Sequence, residues 1–234
     1  MLDILRTLTL GATAGMVFAA ILTSLPIRSG SRLALGAGIG AWIAAILALA
    51  GAGVTKGAPL AVPLLFALPL VAGGIAASFA QARRAMMAIP AQLIIGLNIW
   101  RVLGVFMVLA AFNGQMSGPF PYSAGIGDII TGLFALPIAR IAANNPRDIR
   151  VLEWNIFGML DLVVAVFLGV TSTNGGPLQL IHAGIGSTAM ASLPWTIIPL
   201  VLVPTYLIGH AIVFAHIRAA QPTRNVAQTR LAEA

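Results

Sequence analysis

The sequence has no cysteine, one lysine and few charges of either sign, with 8% of its 234 residues charged. The lack of cysteine excludes disulfides, thiolate chemistry and cysteine-ligated metals. A soluble domain carries about 25% charged residues, whereas this chain is 59% hydrophobic. The composition therefore predicts an all-α polytopic membrane protein whose main partner is the lipid bilayer.

The charge that is present is mostly positive, with a formal net charge of +7. In a soluble protein such an excess would indicate nucleic acid as a partner. Here the arginines lie in short connections between apolar runs, as the positive-inside rule describes for membrane proteins. We therefore predict no nucleic-acid partner.

Apolar runs of about 20 residues, long enough to cross a bilayer, occur seven times. They lie at about 8–25, 33–53, 59–79, 91–112, 123–142, 154–171 and 195–217. We predict one transmembrane domain over 1–218, with an uncleaved first span, and a disordered cytoplasmic tail over 219–234. The apolar segment 178–192 is too short for a full span.

Arginines are distributed unequally between the two sets of connections. Ten of them follow spans one, three, five and seven, against Arg6 and Lys56 on the opposite side. By the positive-inside rule the N-terminus is outside and the C-terminus is cytoplasmic. The expected location is a cell inner membrane, crossed several times.

Two stretches have the same order of features at an offset of 57 to 59 residues. NIWRVLGVFMVLAAF, a Gly-Pro turn and AGIGD correspond to NIFGMLDLVVAVFLG, a Gly-Pro turn and AGIGS. The spacing predicts a parallel repeat of two-helix units, about 91–142 and 154–217. Such symmetry is typical of transporter folds with a site between the repeats.

Few ionisable residues lie within the spans, where unpaired charges are costly and face the bundle interior. Arg101 and Asp161 are each about ten residues from the outer ends of their spans, so both lie about 15 Å deep. We therefore predict an ion pair between them. It either fixes the helices or contacts a ligand.

Asp128 is expected only about 8 Å deep, near a helix start and without a partner at its depth. It either caps the helix or belongs to a site open to the outer face. His182 occupies the place of Ser123 in the other repeat, from which it could face Asp128 across the repeat interface and form a pH-sensitive pair. Asn98 and Asn155 are predicted to hydrogen-bond between helices.

The remaining histidines and tryptophans predict no cofactor. His210 and His216 are six residues apart, and no metal-binding spacing occurs, so the histidine pattern does not favour a metal or haem site. His210 is expected to be a neutral, hydrogen-bonded bundle residue. Trp154 and Trp195 fit an aromatic belt at the membrane interfaces.

Three resemblances follow from these motifs. Gly125-Ile126-Gly127-Asp128 resembles the GxGD motif of intramembrane aspartyl proteases, but Asp161 follows the motif instead of preceding it and is expected at another depth. Seven spans resemble rhodopsins, but Lys56 lies in a loop, where it cannot hold retinal. The combination of R-x-x-G, AGIGD, Trp154-Asn155 and Asp161 over about 90–217 resembles a group of functionally uncharacterised bacterial multi-span membrane proteins.

The midplane charges and the repeat favour a small transporter or channel-like protein for an unknown small solute or ion. The candidate binding residues are Arg101, Asp128, Asp161, Asn98, Asn155 and His182. Two alternatives remain open: a membrane-embedded enzyme or haem protein, and a structural or regulatory subunit. The glycine-rich spans would also allow a homo-oligomer.

Overall fold

The structure, a computed structural model, describes residues 2–58 and 60–219. The predicted tail beyond Ala219 therefore lies outside the described residues. Within the described ranges the chain is helical and contains no strand. The all-α prediction is confirmed for this part of the chain.

Seven described helices are long and apolar enough to cross a membrane, as predicted, so the chain is a multi-pass membrane protein. The second and fifth spans begin four residues earlier than predicted and the sixth begins five earlier, whereas the other boundaries differ by three residues or fewer. The spans are Arg6–Ser24, Ser29–Gly51, Ala61–Ser78, Ala91–Phe112, Pro119–Asn144, Ile149–Thr171 and Ile198–Ala219.

The helices are α1 (Leu2–Ser24), α2 (Ser29–Gly51), α3 (Val54–Gly57), α4 (Ala61–Ser78), α5 (Ala80–Met87), α6 (Ala91–Leu97), α7 (Val105–Phe112), α8 (Pro119–Asn144), α9 (Ile149–Thr171) and α10 (Val203–Ala219). Two spans are composite. A 3-10 segment, Asn98–Gly104, joins α6 to α7, and a π-helical turn, Ile198–Leu202, leads into α10.

Helix α8 lies at the centre of the bundle, against the fourth span and α9, while α10 packs on α9, α6 and α4. Glycines permit this approach. A Cβ on Gly104 would lie 2.7 Å from the Gly125 carbonyl oxygen, and one on Gly132 would lie 2.7 Å from the Val102 nitrogen. Small residues let membrane helices pack with their backbones close together, and here they place polar side chains of three spans within bonding distance.

The second and third spans lie at the periphery. They bury 6% and 0% of their apolar windows, against 39% for the fourth and fifth spans and 44% for the seventh. A helix that is apolar all round and largely uncovered by protein suits contact with lipid. Spans four to seven therefore supply most of the buried interior.

The AGIG segments at 124–127 and 183–186, which correspond in the predicted repeat, take different structures. The repeat therefore does not extend to them. Residues 124–128 lie inside α8, whereas 183–187 are turn residues of the connection between Thr171 and Ile198, followed by a 3-10 turn at Thr188–Ala191. Gly184 and Gly186 have φ values of +68° and +55°, which favour glycine. A Cβ on Gly186 would lie 1.6 Å from the Ser172 carbonyl oxygen. The second segment is a tight turn and the first is a helix.

At one end of the bundle the connections contact one another. Arg6 Nη1 donates to Gln115 Oε1 at 2.8 Å and lies over the Trp195 ring at 5.1 Å. Thr55 Oγ1 donates to the Ala191 carbonyl oxygen at 2.6 Å. We call this the loop end; it is formed by the start of α1, α3 and the segments 113–118 and 172–197.

At the opposite end, Asp148 caps α9. Its Oδ1 accepts from the Arg150 backbone N–H at 3.0 Å and from Arg150 Nε at 2.8 Å. Oδ2 accepts from Arg150 Nη2 at 2.8 Å. The side-chain hydrogen bonds from Arg150, followed by the backbone bond, lower the pKa of Asp148 to about 2.

This cap predicts a pH-dependent contribution to stability. The pKa of Asp148 is lower in the folded chain than the ordinary value of 3.8, so the contribution is present above about pH 4 and is lost as the pH falls towards 2. Asp148→Asn keeps a capping oxygen and removes the charge. We expect a slightly lower melting temperature at pH 7, with a difference from the wild type that vanishes near pH 2. A difference independent of pH would show that the charge of Asp148 contributes nothing.

Candidate functional site: a buried ion cluster

Arg101 is the centre of the site. It lies on the 3-10 segment of the fourth span, and its side chain is 1% exposed. Its Nη2 donates to Asp161 Oδ2 on α9 at 2.5 Å, which confirms the predicted ion pair. Its Nε donates to Asp128 Oδ1 on α8 at 2.6 Å. One guanidinium thus joins three spans.

The predictions for Asp128 were wrong in depth, partner and capping role. Helix α8 begins at Pro119, four residues before the predicted start, and Gly118 is its N-cap residue. Asp128 therefore lies in the third turn, about 14 Å along the helix axis, level with Arg101. The depth argument against an aspartyl dyad also fails. However, the Arg101 guanidinium bonds both carboxylates, so each faces a cation instead of sharing a proton with the other.

The second terminal nitrogen of Arg101 bonds the far side of the cluster. Nη1 donates to the Gly158 carbonyl oxygen at 3.2 Å and to His210 Nε2 at 3.1 Å. Its contact with Asn98 Oδ1 is longer, at 3.5 Å. Asn98 Nδ2 donates to the Ile94 carbonyl oxygen of its own span at 2.9 Å. The prediction that Asn98 bonds between helices was therefore wrong: it supports Arg101 from within the same span.

His210 on α10 is a member of the cluster that the sequence prediction did not include. An arginine can only donate, so His210 Nε2 accepts and the ring proton lies on Nδ1. Nδ1 is 2.8 Å from Asn155 Oδ1, which accepts this proton, and Asn155 Nδ2 donates to the His210 carbonyl oxygen at 3.1 Å. These bonds confirm the interhelical role of Asn155 and describe a neutral, hydrogen-bonded His210.

Trp154 forms the wall behind His210. Its Nε1 donates to the Thr131 carbonyl oxygen at 3.0 Å, and its ring centroid is 5.3 Å from that of His210. Trp154 and Trp195 are 6% and 4% exposed, so both are buried in protein and the aromatic-belt prediction was wrong for them.

The structure does not bring His182 to Asp128. His182 is exposed in the connection before Ile198, and in the described part of the chain the ionic partner of Asp128 is Arg101. The predicted His182–Asp128 pair is therefore not formed. The pair was predicted from the repeat, and the repeat does not hold at residues 183–187.

The cluster has more acidic groups than basic ones. Arg101 supplies one positive charge against the carboxylates of Asp128 and Asp161, while His210 is neutral by its hydrogen bonding. With both carboxylates ionised, the formal balance is one negative charge. Buried charges that are not balanced within the protein are costly, and in membrane proteins they mark ion or substrate pathways.

Two cavities meet at Asp128. A cavity of about 640 Å³ extends from the loop end, at Lys56 and Asn174, to Asp128. A smaller one of about 30 Å³ is lined by Arg101, Asp128 and Tyr206. The Tyr206 hydroxyl is buried without a hydrogen-bond partner among the described residues, and this space is large enough for one water.

The fold and the cluster together define a class: a helical multi-pass membrane protein with a buried, charge-unbalanced arginine–carboxylate site. Residues 59–218 match the model of a domain of unknown function, DUF8737. The match covers more than half of the chain, so the protein belongs to this family. The search of curated proteins and the search of solved structures each found no match.

Proposed function

We propose that this protein is a small solute transporter and that the buried cluster of Arg101, Asp128 and Asp161 is its binding site. The observation that supports this proposal best is that the cluster has one more acidic group than basic groups and borders a large cavity. One carboxylate is enough to neutralise Arg101, whereas this cluster has one guanidinium for two carboxylates. Asp128 reaches the cavity that begins at the loop end.

The same proposal includes location and orientation. The resemblance to bacterial multi-span proteins and the distribution of arginines support a bacterial inner membrane, an outside N-terminus and a cytoplasmic C-terminus. In this orientation the loop end lies outside. Solute would enter the cavity from the outer face and meet Asp128 near the middle of the bilayer, where transporter sites commonly lie.

The test is solute uptake by proteoliposomes, with a variant that removes only the excess charge. Asp128→Asn leaves the neutral Arg101–Asp161 pair intact. Proteoliposomes are incubated with a mixed panel of sugars, amino acids, organic anions, organic cations and alkali-metal ions, and their contents are analysed by mass spectrometry after rapid filtration. We expect at least one solute to enter faster with the wild type than with Asp128→Asn.

The matched control is Asp148→Asn, which makes the same chemical change at the exposed cap of α9. It is expected to transport like the wild type. The transporter proposal fails if no panel member enters wild-type proteoliposomes faster than protein-free liposomes. The proposed site fails if Asp128→Asn transports as well as Asp148→Asn does.

A further inference from the structure

The larger cavity has the size and chemistry of a ligand pocket. Its volume of about 640 Å³ falls within the range of about 300–1,000 Å³ that is common for small-molecule sites. Most of its lining is apolar, supplied by α4, α8, α9 and the start of the seventh span. It includes the aromatic rings of Phe66 and Phe120.

Only two ionisable side chains line this cavity within the described ranges: Lys56 and Asp128. Lys56 is exposed at the loop end, where water can solvate its ammonium group. Asp128 is at the opposite end, and its side chain is 15% exposed, against 7% for Asp161. The deep end of an apolar pocket therefore carries an acidic group.

Asp128 retains acceptor capacity towards the cavity. Its one hydrogen bond within the described chain is at Oδ1, from Arg101. Oδ2 has no partner among the described residues, although an ionised carboxylate has about four acceptor sites. The buried Tyr206 hydroxyl also lacks a partner among the described residues, and Tyr206 lines the adjoining space together with Arg101 and Asp128.

We propose that this cavity binds an amphiphilic organic monocation, with Asp128 as its counter-ion. The positive charge of such a ligand balances the excess carboxylate of the cluster. Its apolar groups pack against the apolar walls, which include Phe66 and Phe120, and aromatic rings attract cations. The inference names the substrate class of the proposed transporter and so rests on that function.

Other ligand classes fit the cavity less well. A divalent metal ion would need about six oxygen ligands, but the described deep end offers mainly one carboxylate among apolar side chains. An organic anion would meet the negative charge at Asp128. A neutral apolar ligand would leave that charge unbalanced.

Equilibrium dialysis of the purified full chain in detergent against radiolabelled tetraphenylphosphonium tests this assignment. We expect saturable binding, near one cation per chain, that weakens by about tenfold or more in Asp128→Asn, because a desolvated charge contact is lost. Tetraphenylborate has the same shape and the opposite charge, and is expected neither to bind nor to compete. Asp148→Asn is the control and should bind like the wild type.

A second variant leaves the ion cluster unchanged. Ala165 lines the cavity on α9, and Ala165→Phe fills it without changing Arg101 or either carboxylate. We expect it also to weaken tetraphenylphosphonium binding, which decides the matter if Asp128→Asn fails to fold. The assignment is overturned if no saturable binding occurs, if tetraphenylborate binds as tightly, or if the folded variants bind within twofold of the wild type.

The binding result and the transport result can be told apart. Tetraphenylphosphonium bound at Asp128, with no panel solute transported, would support the cation site and overturn the transporter. Uptake of a sugar or an anion that depends on Asp128, without tetraphenylphosphonium binding, would support the transporter and overturn the cation assignment.

Discussion

Arg101→Met is expected to destabilise the folded chain by about 3–5 kcal/mol, the cost typical of removing one partner from a buried ion pair. Methionine preserves much of the side-chain length but leaves Asp128 and Asp161 without their shared cation. It also leaves the Gly158 carbonyl oxygen and His210 Nε2 without the donor that Arg101 supplies. The measurement is the unfolding transition in detergent at neutral pH.

Two further variants make this result specific. Arg140→Met changes an exposed arginine of α8 and is expected to have little effect. The triple variant Arg101→Met/Asp128→Asn/Asp161→Asn removes every charge of the cluster and is expected to recover most of the lost stability, because no isolated buried charge remains. If Arg101→Met unfolds like Arg140→Met, the carboxylates do not need the guanidinium, and the charge excess that supports our functional proposal is absent.

Replacing either carboxylate should destabilise the folded chain less than replacing Arg101. When Asp161 is replaced by Asn, Arg101 keeps Asp128, and when Asp128 is replaced, it keeps Asp161. Each single carboxylate variant leaves a neutral pair. An asymmetric result, severe for arginine and mild for either aspartate, is the expected signature of one cation shared by two anions.

The sequence predicted the parts of this site that depend on distance along a helix. Arg101 and Asp161 were placed at one depth by counting residues from the span ends, and they form the expected pair. The sequence prediction misplaces Asp128 because it treats Gly118-Pro119 as a turn outside the helix. Proline is well tolerated in the first turn of a helix, where its missing N–H has no intrahelical partner, and α8 begins at Pro119.

The contacts between distant spans could not be read from spacing. His210 and Arg101 are 109 residues apart, and their contact depends on how α10 packs against the fourth span and α9. Gly158 is the sequence feature connected with this contact. A Cβ there would lie 2.7 Å from His210 Cε1, so a glycine at this position of α9 leaves room for the His210 ring. The sequence alone does not show which side chain packs against this glycine. The cavity likewise depends on gaps between helices that hydropathy does not describe.

Gly127→Ala is expected to disrupt the cluster from the opposite side, without changing any charged residue. A Cβ at position 127 would lie 1.7 Å from Asp161 Oδ1 and 2.4 Å from its Cγ. The Asp161 side chain is held by Arg101, so it cannot move away without breaking that bond. Overpacking of a tight interior costs about 1–3 kcal/mol, and displacing Asp161 adds the loss of an ion-pair contact. We expect Gly127→Ala to lower the free energy of unfolding in detergent by about 3 kcal/mol in total.

The same substitution at an open position is the control. Nothing lies within 4 Å of a Cβ on Gly38 of α2, and alanine favours helix over glycine by about 1 kcal/mol, so Gly38→Ala should be neutral or slightly stabilising. Adding Asp161→Ala to Gly127→Ala removes the colliding carboxylate and should recover part of the loss, because Asp128 still pairs with Arg101. A Gly127→Ala protein as stable as Gly38→Ala would mean that Asp161 is free to leave Arg101. The glycine before Asp128 is therefore expected to be required by the carboxylate on the neighbouring helix, which must approach the backbone of α8 to reach the shared guanidinium.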